Sequence, residues 1–198
     1  MEEETKKQFK LIASYESILT DLDSVQKWLK VIIRIQENDP DLKDSTVLSG
    51  LFIAILITYA RCFTSGKREI LQPEEIYNGL KGDPLGLHRY LIDMRNKHIA
   101  HSVNSFEQIQ IGVFISDKKE IFALGKLHSK LIALSKKDFQ QIFWLVSEAK
   151  KFVISERDLL QKELETKILG KKLEDVEIND LKEMGIKIPG PEDIAIPR

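Results

Sequence analysis

Residues 11–32 read LIASYESILTDLDSVQKWLKVI, and the apolar residues of this stretch lie alternately four and three positions apart. They are Leu11, Tyr15, Ile18, Leu22, Val25, Leu29 and Ile32. This spacing places one apolar seam along a long helix, and the seam must pack against another helix. The helix is expected to end before Asn38-Asp39-Pro40, because proline disfavours helical geometry in the residue that precedes it. The stretch therefore predicts a helical bundle.

A second helix is predicted from Asp44-Ser45 towards Phe63, and it is apolar on nearly every side. Such a helix lies at the centre of a domain or in a subunit interface. Its apolar run is at the short limit for a membrane span and is interrupted by Ser49, Gly50 and Arg61. We interpret it as a buried helix and expect no association with a membrane.

Three further helices are indicated by their first residues. A short helix is expected at Pro73-Glu74-Glu75, and Asp83-Pro84 has the pattern of a cap followed by a first-turn proline. The helix that begins there is expected to continue to the region of His101. Ser135 with Asp138 three residues later resembles a cap for a last long helix that closes the bundle.

Between these last two helices the period of the sequence changes. Apolar residues at 109, 111, 113 and 115 alternate with other residues, which is typical of a strand half buried on one face. Asp117-Lys118-Lys119-Glu120 is polar enough to form a turn, and Ile121-Phe122-Ala123-Leu124 is the expected return strand. The predicted fold class is therefore mainly α, a helical bundle with a small β-hairpin insertion at about residues 105–134.

The helical domain is predicted to cover residues 1–169. From Gly170 to Arg198 the chain becomes charged and then proline-rich, a composition that cannot build a core of its own. This segment is expected to be an extended tail that docks on a partner or is mobile.

The composition limits the classes of function and location. Thirty basic and 31 acidic residues give a formal net charge of −1, so any polyanion must be met by a local patch. Cys62 is the only cysteine and is interpreted as a buried apolar residue, which leaves no internal disulfide. The charged N-terminus lacks the apolar stretch of a signal peptide, and a cytoplasmic location is expected.

One cluster suggests chemistry, the string Arg95-Asn96-Lys97-His98-Ile99-Ala100-His101. A guanidinium binds a phosphate through two parallel hydrogen bonds, and an imidazole with a pKa near neutrality can accept and return a proton. RNA supplies its own nucleophile in the 2′-hydroxyl, so its cleavage needs no metal. The alternative is a solvated helix end, because cations suit the negative end of a helix dipole.

The string contains an arginine, a polar residue directly after it and a histidine five positions further on, namely Arg95, Asn96 and His101. This pattern resembles the motif of the HEPN superfamily of ribonucleases and nucleic-acid-binding domains. The whole string, together with Tyr59-Ala60-Arg61-Cys62-Phe63 on the preceding helix, resembles the abortive-infection branch of that superfamily. The resemblance covers roughly residues 8–160. It implies a metal-independent endoribonuclease in phage defence or a toxin–antitoxin system, with RNA as substrate and a cognate antitoxin or regulatory protein as a partner.

The resemblance also implies a two-fold dimer in which both copies of Arg95 and His101 share one cleft. One His101 acts as base, the other as acid, Arg95 holds the phosphate, and Asn96 orients the histidine or the RNA. An independent reason to expect a homodimer is that the all-round apolar second helix and the seam of the first exceed what a small bundle easily hides.

The remaining polar residues near the motif have weaker patterns. Lys97 and His98 are candidate substrate contacts, and Arg61 either pairs with a carboxylate or contributes a second phosphate contact. His98 and His101 have a spacing compatible with zinc but lack a third ligand, so neither a metal nor a cofactor is predicted. His88 and the adjacent Arg89 would extend a basic rim. The competing function is a non-catalytic helical interaction or RNA-binding module.

Overall fold

The computed structural model describes residues 3–38, 46–64, 68–96, 107–130 and 134–170. The fold is mainly α with one small antiparallel hairpin, which confirms the predicted fold class. The expected start of the second helix at residues 44–45 and the tail from residue 171 lie outside the described residues. The elements are α1 (Glu3–Asn38), α2 (Thr46–Ala60), α3 (Pro73–Tyr77), α4 (Pro84–Met94), β1 (Glu107–Ile115), β2 (Ile121–Lys130) and α5 (Lys136–Ile168).

The two long helices α1 and α5 pack antiparallel along their length. The five seam residues Ile18, Leu22, Val25, Leu29 and Ile32 are completely buried. The helices α5 and α2 cover this seam within the chain. The expectation that the seam of α1 is available to a second subunit was therefore wrong, because the seam is already satisfied.

Most sides of helix α2 are packed inside the bundle. Phe52 is buried and meets Phe139 of α5 edge to face, with 5.7 Å between the ring centroids. One stripe nevertheless faces outward, where the side chains of Val47, Ile53 and Ile57 are 61, 45 and 40% exposed. None of the helices in the described part of the chain is both long and apolar enough to cross a membrane.

Local capping sets the start of both helices that flank the hairpin. Asp83 accepts a hydrogen bond from the backbone N–H of Gly86 at 2.8 Å, and Pro84 occupies the first turn of α4. Ser135 and Asp138 form the predicted capping box of α5, in which the Ser135 N–H donates to the Asp138 carboxylate at 2.7 Å. Each cap satisfies backbone donors that the first helical turn leaves unpaired.

The hairpin forms in the predicted region, but its environment differs from the prediction. Val113 lies opposite Leu124, and a register shift between Phe114 and Ile115 places Ile115 opposite Ile121. The prediction of one buried face was wrong, because the side chains of β1 that are described are 46–70% exposed where they are large and apolar. No helix of the described residues forms a layer over the hairpin. The alternation in the sequence predicts which side chains share a face of the hairpin, but it does not predict whether another element packs on that face.

The seam makes a direct stability prediction. Leu22→Ala should lower the free energy of unfolding by about 2–5 kcal/mol, because it removes buried methyl groups and leaves a cavity. Leu159→Ala on α5 is the matched control, since Leu159 is 55% exposed and its loss should change stability by less than about 0.5 kcal/mol. Urea unfolding followed by circular dichroism measures both. Equal effects of the two substitutions would contradict the packing described.

Candidate functional site

The position of the motif follows from the direction of α4. The first turn of α4, with Leu87, lines a pocket together with Gln141 and Trp144 of α5. Further along α4, burial raises the pKa of Tyr90, and the charge of Asp138 in the first turn of α5 raises it further. Helix α4 therefore runs antiparallel to α5, towards its first turn. The end of α4 lies where α5 begins, and the hairpin joins the bundle at the same end.

Arg95 and Asn96 stand at this end of the bundle. The α-helix ends at Met94, and the backbone N–H of the C-cap residue Arg95 donates to the carbonyls of Leu91 and Ile92. The Nη1 of Arg95 donates a hydrogen bond of 3.0 Å to the Oδ1 of Asn96. Among the described residues, the partner of this guanidinium is thus a neutral amide and not a carboxylate.

The other motif residues, Lys97, His98 and His101, lie outside the described residues. Of the predicted catalytic set, the structure therefore brings together Arg95 and Asn96. Among the described residues, no group of three histidine, cysteine, aspartate or glutamate side chains is arranged as a metal site.

Arg61 is held by an acidic residue of α1. Its Nε donates to Oδ2 of Asp21 at 3.0 Å, and its Nη2 contacts the other carboxylate oxygen. Arg68 joins the same carboxylate, with Nη2 at 2.6 Å from Oδ2 and Nη1 at 2.7 Å from the hydroxyl of Ser17. The Asp21 side chain is only 8% exposed. Of the two alternatives for Arg61, the ion pair is the one observed.

The same geometry separates Arg61 from Arg95. Tyr59 of α2 contacts His88 of α4, which fixes the two helices at one level of the bundle. Arg61 follows Tyr59 by two residues and turns towards α1, whereas Arg95 lies seven residues beyond His88, about 10 Å in the other direction. The structure therefore does not bring the two guanidinium groups to one phosphate within a single subunit.

A buried polar chain that the sequence did not indicate links four helices. The Nδ1 of His88 lies 2.9 Å from the hydroxyl of Tyr59, which lies 3.0 Å from the hydroxyl of Tyr77. The Tyr77 hydroxyl donates to the carbonyl of Leu145 at 3.4 Å. One arrangement satisfies every group, with Nδ1–H donating to Tyr59 and Tyr59 donating to Tyr77.

His88 is consequently a core residue and not part of a basic rim. It is 6% exposed, and its ring lies 4.6 Å from that of Phe63, centroid to centroid. Burial lowers the pKa of His88 to about 4, so the ring is neutral at pH 7. The signal that sequence reasoning missed is helical spacing, because His88 lies on the same stripe of α4 as Leu91 and Met94, which are buried.

Cys62 agrees with its interpretation as a buried apolar residue. It is completely buried, and its thiol lies 3.5 Å from the carbonyl of Thr58. Burial raises the pKa of Cys62 to about 12. Burial and the raised pKa both disfavour the reactive thiolate, in agreement with a structural role.

Comparisons with models of known protein families, with curated proteins and with solved structures return no match to this chain. The resemblance to the HEPN superfamily therefore stays a prediction. It rests on the string from Arg95 to His101 and on the helix that the sequence predicts for that string.

The Asp21 cluster makes a pH-dependent prediction. Burial alone would raise the pKa of Asp21, but hydrogen bonds from Arg61 and Arg68 lower it below its ordinary value of 3.8. The stabilisation is therefore complete above pH 3.8 and is lost as the pH falls through the lower pKa of the folded state. Asp21→Asn should lower the free energy of unfolding by about 1–3 kcal/mol at pH 7, because two guanidinium groups lose their charged partner.

The measurement for Asp21→Asn is urea unfolding at a series of pH values. The difference in the free energy of unfolding between Asp21→Asn and the wild type should become smaller as the pH falls below 3.8, because the wild-type carboxylate is then itself protonated. Asp23→Asn is the control, because Asp23 is 45% exposed in its pair with Lys150 and should contribute at most about 1 kcal/mol. A difference from wild type that stays constant with pH would contradict the role of the Asp21 charge.

His88 makes a second pH prediction. Burial lowers the pKa of His88 from 6.5 to about 4. Between pH 4 and pH 6.5 the imidazole is therefore protonated in the unfolded chain and neutral in the folded chain. Stability should therefore fall by up to about 3 kcal/mol as the pH drops from 6.5 to 4. His88→Asn should reduce that slope, measured by urea unfolding at pH 7 and pH 4.5. An unchanged slope would show that His88 is not the group that resists protonation.

Proposed function

We propose that this protein is a metal-independent endoribonuclease of the HEPN type that acts in phage defence or a toxin–antitoxin system. The observation that supports the proposal is the state of Arg95. Its guanidinium stands at the end of the bundle with a neutral hydrogen-bond partner, Asn96, whereas Arg61 and Arg68 are engaged by Asp21. No carboxylate of the described residues is paired with Arg95, and a guanidinium without such a partner has its donors available for a phosphate.

The proposed reaction is transfer of the phosphodiester to the neighbouring 2′-oxygen. One His101 takes the proton of the 2′-hydroxyl, and the 2′-oxygen attacks phosphorus as the bond to the 5′-oxygen breaks. The His101 of the second subunit gives a proton to the leaving 5′-oxygen. Arg95 stabilises the charge that develops on the phosphate, and Asn96 orients the histidine or the RNA. The products are a 2′,3′-cyclic phosphate and a 5′-hydroxyl.

The proposal includes the setting of the enzyme. It acts as a homodimer in the cytoplasm, because the reaction uses His101 from two subunits and RNA is the substrate. An antitoxin or regulatory protein holds it inactive until it is needed. No metal or cofactor enters the reaction, since the 2′-hydroxyl is the nucleophile.

A second function is favoured by the hairpin. Large apolar side chains are exposed on both strands, among them Phe122 at 68% and Leu124 at 75%. Contiguous apolar surface of this kind is characteristic of protein–protein contacts. A non-catalytic interaction or RNA-binding module would use this surface without any chemistry at Arg95.

RNA cleavage by the purified full chain in EDTA tests the chemistry. The protein should cut single-stranded RNA and leave 2′,3′-cyclic phosphate ends, and it should spare a substrate with hydrogen in place of the scissile 2′-hydroxyl. His101→Ala should lower the rate by roughly two to four orders of magnitude, because a general acid–base group is lost. Arg95→Ala should weaken both RNA binding and turnover. Electrophoresis with end-group analysis measures these effects.

Two variants serve as controls for Arg95. Arg89→Ala removes the same charge from an exposed position of the same helix, so it measures what the predicted basic rim contributes, and its effect on cleavage should be much smaller than that of Arg95→Ala. Arg95→Lys keeps the charge but loses the paired hydrogen bonds, so it should retain only part of the activity. His98→Ala should matter less than His101→Ala. A folded His101→Ala protein that cuts at the wild-type rate would refute the assignment, and a wild type that binds RNA without cutting it would favour the second function.

A further inference from the structure

Helix α4, which is directly followed by Arg95, is attached to the bundle by a small number of buried side chains. It has 11 residues, and those that are buried are Pro84, His88, Leu91 and Met94. The long helices α1 and α5 bury a much larger set of apolar side chains. An element with few buried apolar contacts opens at a lower free energy than the core does. His88 is thus one of only four buried side chains that hold α4 in place.

The connection between α3 and α4 contains two glycines in the left-handed region of backbone space. The φ angles of Gly79 and Gly82 are +81° and +89°. A Cβ at either position would meet no atom within 4 Å, so the backbone conformation and not a close approach is what requires glycine there. Hinges are formed by a few loop residues that absorb a change in backbone angles. This connection therefore allows α4 to move relative to α3.

The hydrogen-bond chain that starts at His88 is complete when the imidazole is neutral. Its Nδ1–H donates to the hydroxyl of Tyr59 at 2.9 Å, and that hydroxyl donates to Tyr77 at 3.0 Å. A second ring proton, on Nε2, has no acceptor within hydrogen-bond distance among the described residues. A buried N–H without an acceptor costs free energy, and the cost is larger for a charged group. Protonation of His88 therefore opposes the packing of α4.

Two charged residues act on the imidazole, and they act in opposite directions. Glu74 of α3 favours the protonated ring, whereas Arg89, the next residue on α4, disfavours it. Burial against rings such as that of Phe63 is the largest effect, and it disfavours the charge. The carboxylate of Glu74 is therefore not sufficient to stabilise a proton on His88 in the packed state.

The other groups around the chain stay neutral or act at a distance. Burial raises the pKa values of Tyr59, Tyr77 and Cys62, so none of them is charged at or below pH 7. On α5 the chain ends at the carbonyl of Leu145, and the charge of Glu148 acts on Tyr77. Of the groups in this chain, His88 is thus the one that changes its charge between pH 4 and pH 7.

We infer that the hydrogen-bond chain of His88 is an acid-sensitive clamp, which holds α4 on the bundle while the imidazole is neutral and releases this helix when the imidazole is protonated. Release brings the ring into water, where its positive charge is solvated, so acid shifts the equilibrium towards the released state. The seam of α1 stays covered in that state, because α5 and α2 cover it. The displacement of Arg95 on release would stop RNA cleavage; this last consequence alone rests on the proposed function.

The size of the effect follows from the two states of His88. The pKa of the imidazole is about 4 when α4 is packed and returns to its ordinary value of 6.5 when α4 is released. Between these values the released state binds the proton and the packed state does not, so the equilibrium constant for release rises as the pH falls. From pH 7.5 to pH 4.5 this constant should rise about 70-fold.

Amide hydrogen exchange of the full chain, followed by mass spectrometry of peptides from α4 and α1, tests the clamp at pH 7.5 and pH 4.5. Each exchange rate is compared with the intrinsic rate of the same peptide at the same pH, which gives a protection factor. The α4 amides should be less protected than those of α1, and urea should affect them less, because release of α4 exposes less surface than global unfolding. The protection of α4 should fall about 70-fold from pH 7.5 to pH 4.5.

Three variants separate the proton on His88 from the hydrogen bonds of the chain. His88→Asn keeps a side-chain donor but does not titrate, so the protection of α4 should differ less than about threefold between the two pH values. Tyr77→Phe removes the next hydrogen bond and leaves the imidazole, so it should lower the protection of α4 at both pH values and keep the dependence on pH. His128→Asn on β2 is the matched control and should leave the exchange of α4 unchanged.

Three results would overturn the inference. Equal protection and equal urea dependence of α4 and α1 would show that α4 does not leave the bundle by itself. Protection of α4 that is the same at both pH values in the wild type, or a dependence on pH that His88→Asn leaves unchanged, would show that His88 does not control release. If His88→Asn does not fold, the wild type and Tyr77→Phe decide the outcome. No RNA is present, so failure here is distinct from failure of the proposed ribonuclease activity.

Discussion

The packing of α1 against α5 is the contact on which the rest of the structure depends. The two helices contribute the largest part of the core, and their buried seam sets a register that polar pairs accompany at both ends. Lys136 meets Glu37 at 2.7 Å near the start of α5, and the amide of Gln8 lies 3.3 Å from the carboxylate of Glu163 near its end. Because the register of α1 against α5 is fixed, each shorter helix packs at one position on this pair. The end of α4 therefore lies beside the first turn of α5.

Two buried polar groups connect the shorter helices to the packed pair of α1 and α5. Asp21 of α1 binds Arg61 and Arg68 after α2, and His88 of α4 is connected through two tyrosines to α5. Each arrangement satisfies groups that would otherwise destabilise the core, because an unpaired buried polar group costs more than a hydrogen bond contributes. The ion pair engages Arg61, whose side chain is still 58% exposed, and burial removes His88 from the predicted basic rim. Arg95 belongs to neither network, and its hydrogen-bond partner among the described residues is Asn96.

The sequence predicted what local interactions decide. The seam of α1, the proline at the start of α4 and the Ser135–Asp138 capping box depend on residues within one or two turns, and each was placed correctly. The partner of Arg61 lies 40 residues away on α1, so no local pattern could choose between carboxylate and phosphate. The burial of His88 depends on helices that contact it only in the folded chain. For the site itself, the sequence predicts a role for Arg95 and Asn96, and the structure adds their contact and their position.

The hairpin adds nothing to the core of the bundle. In the part of the hairpin whose side chains are described, every large apolar residue is exposed, while the buried apolar residues all belong to the helices and the segments between them. Natural proteins blunt free strand edges with charges, prolines or bulges, and here a single register shift near the tip interrupts two otherwise regular strands. The insertion of the hairpin between α4 and α5 attaches exposed apolar side chains to the end of the bundle that carries Arg95.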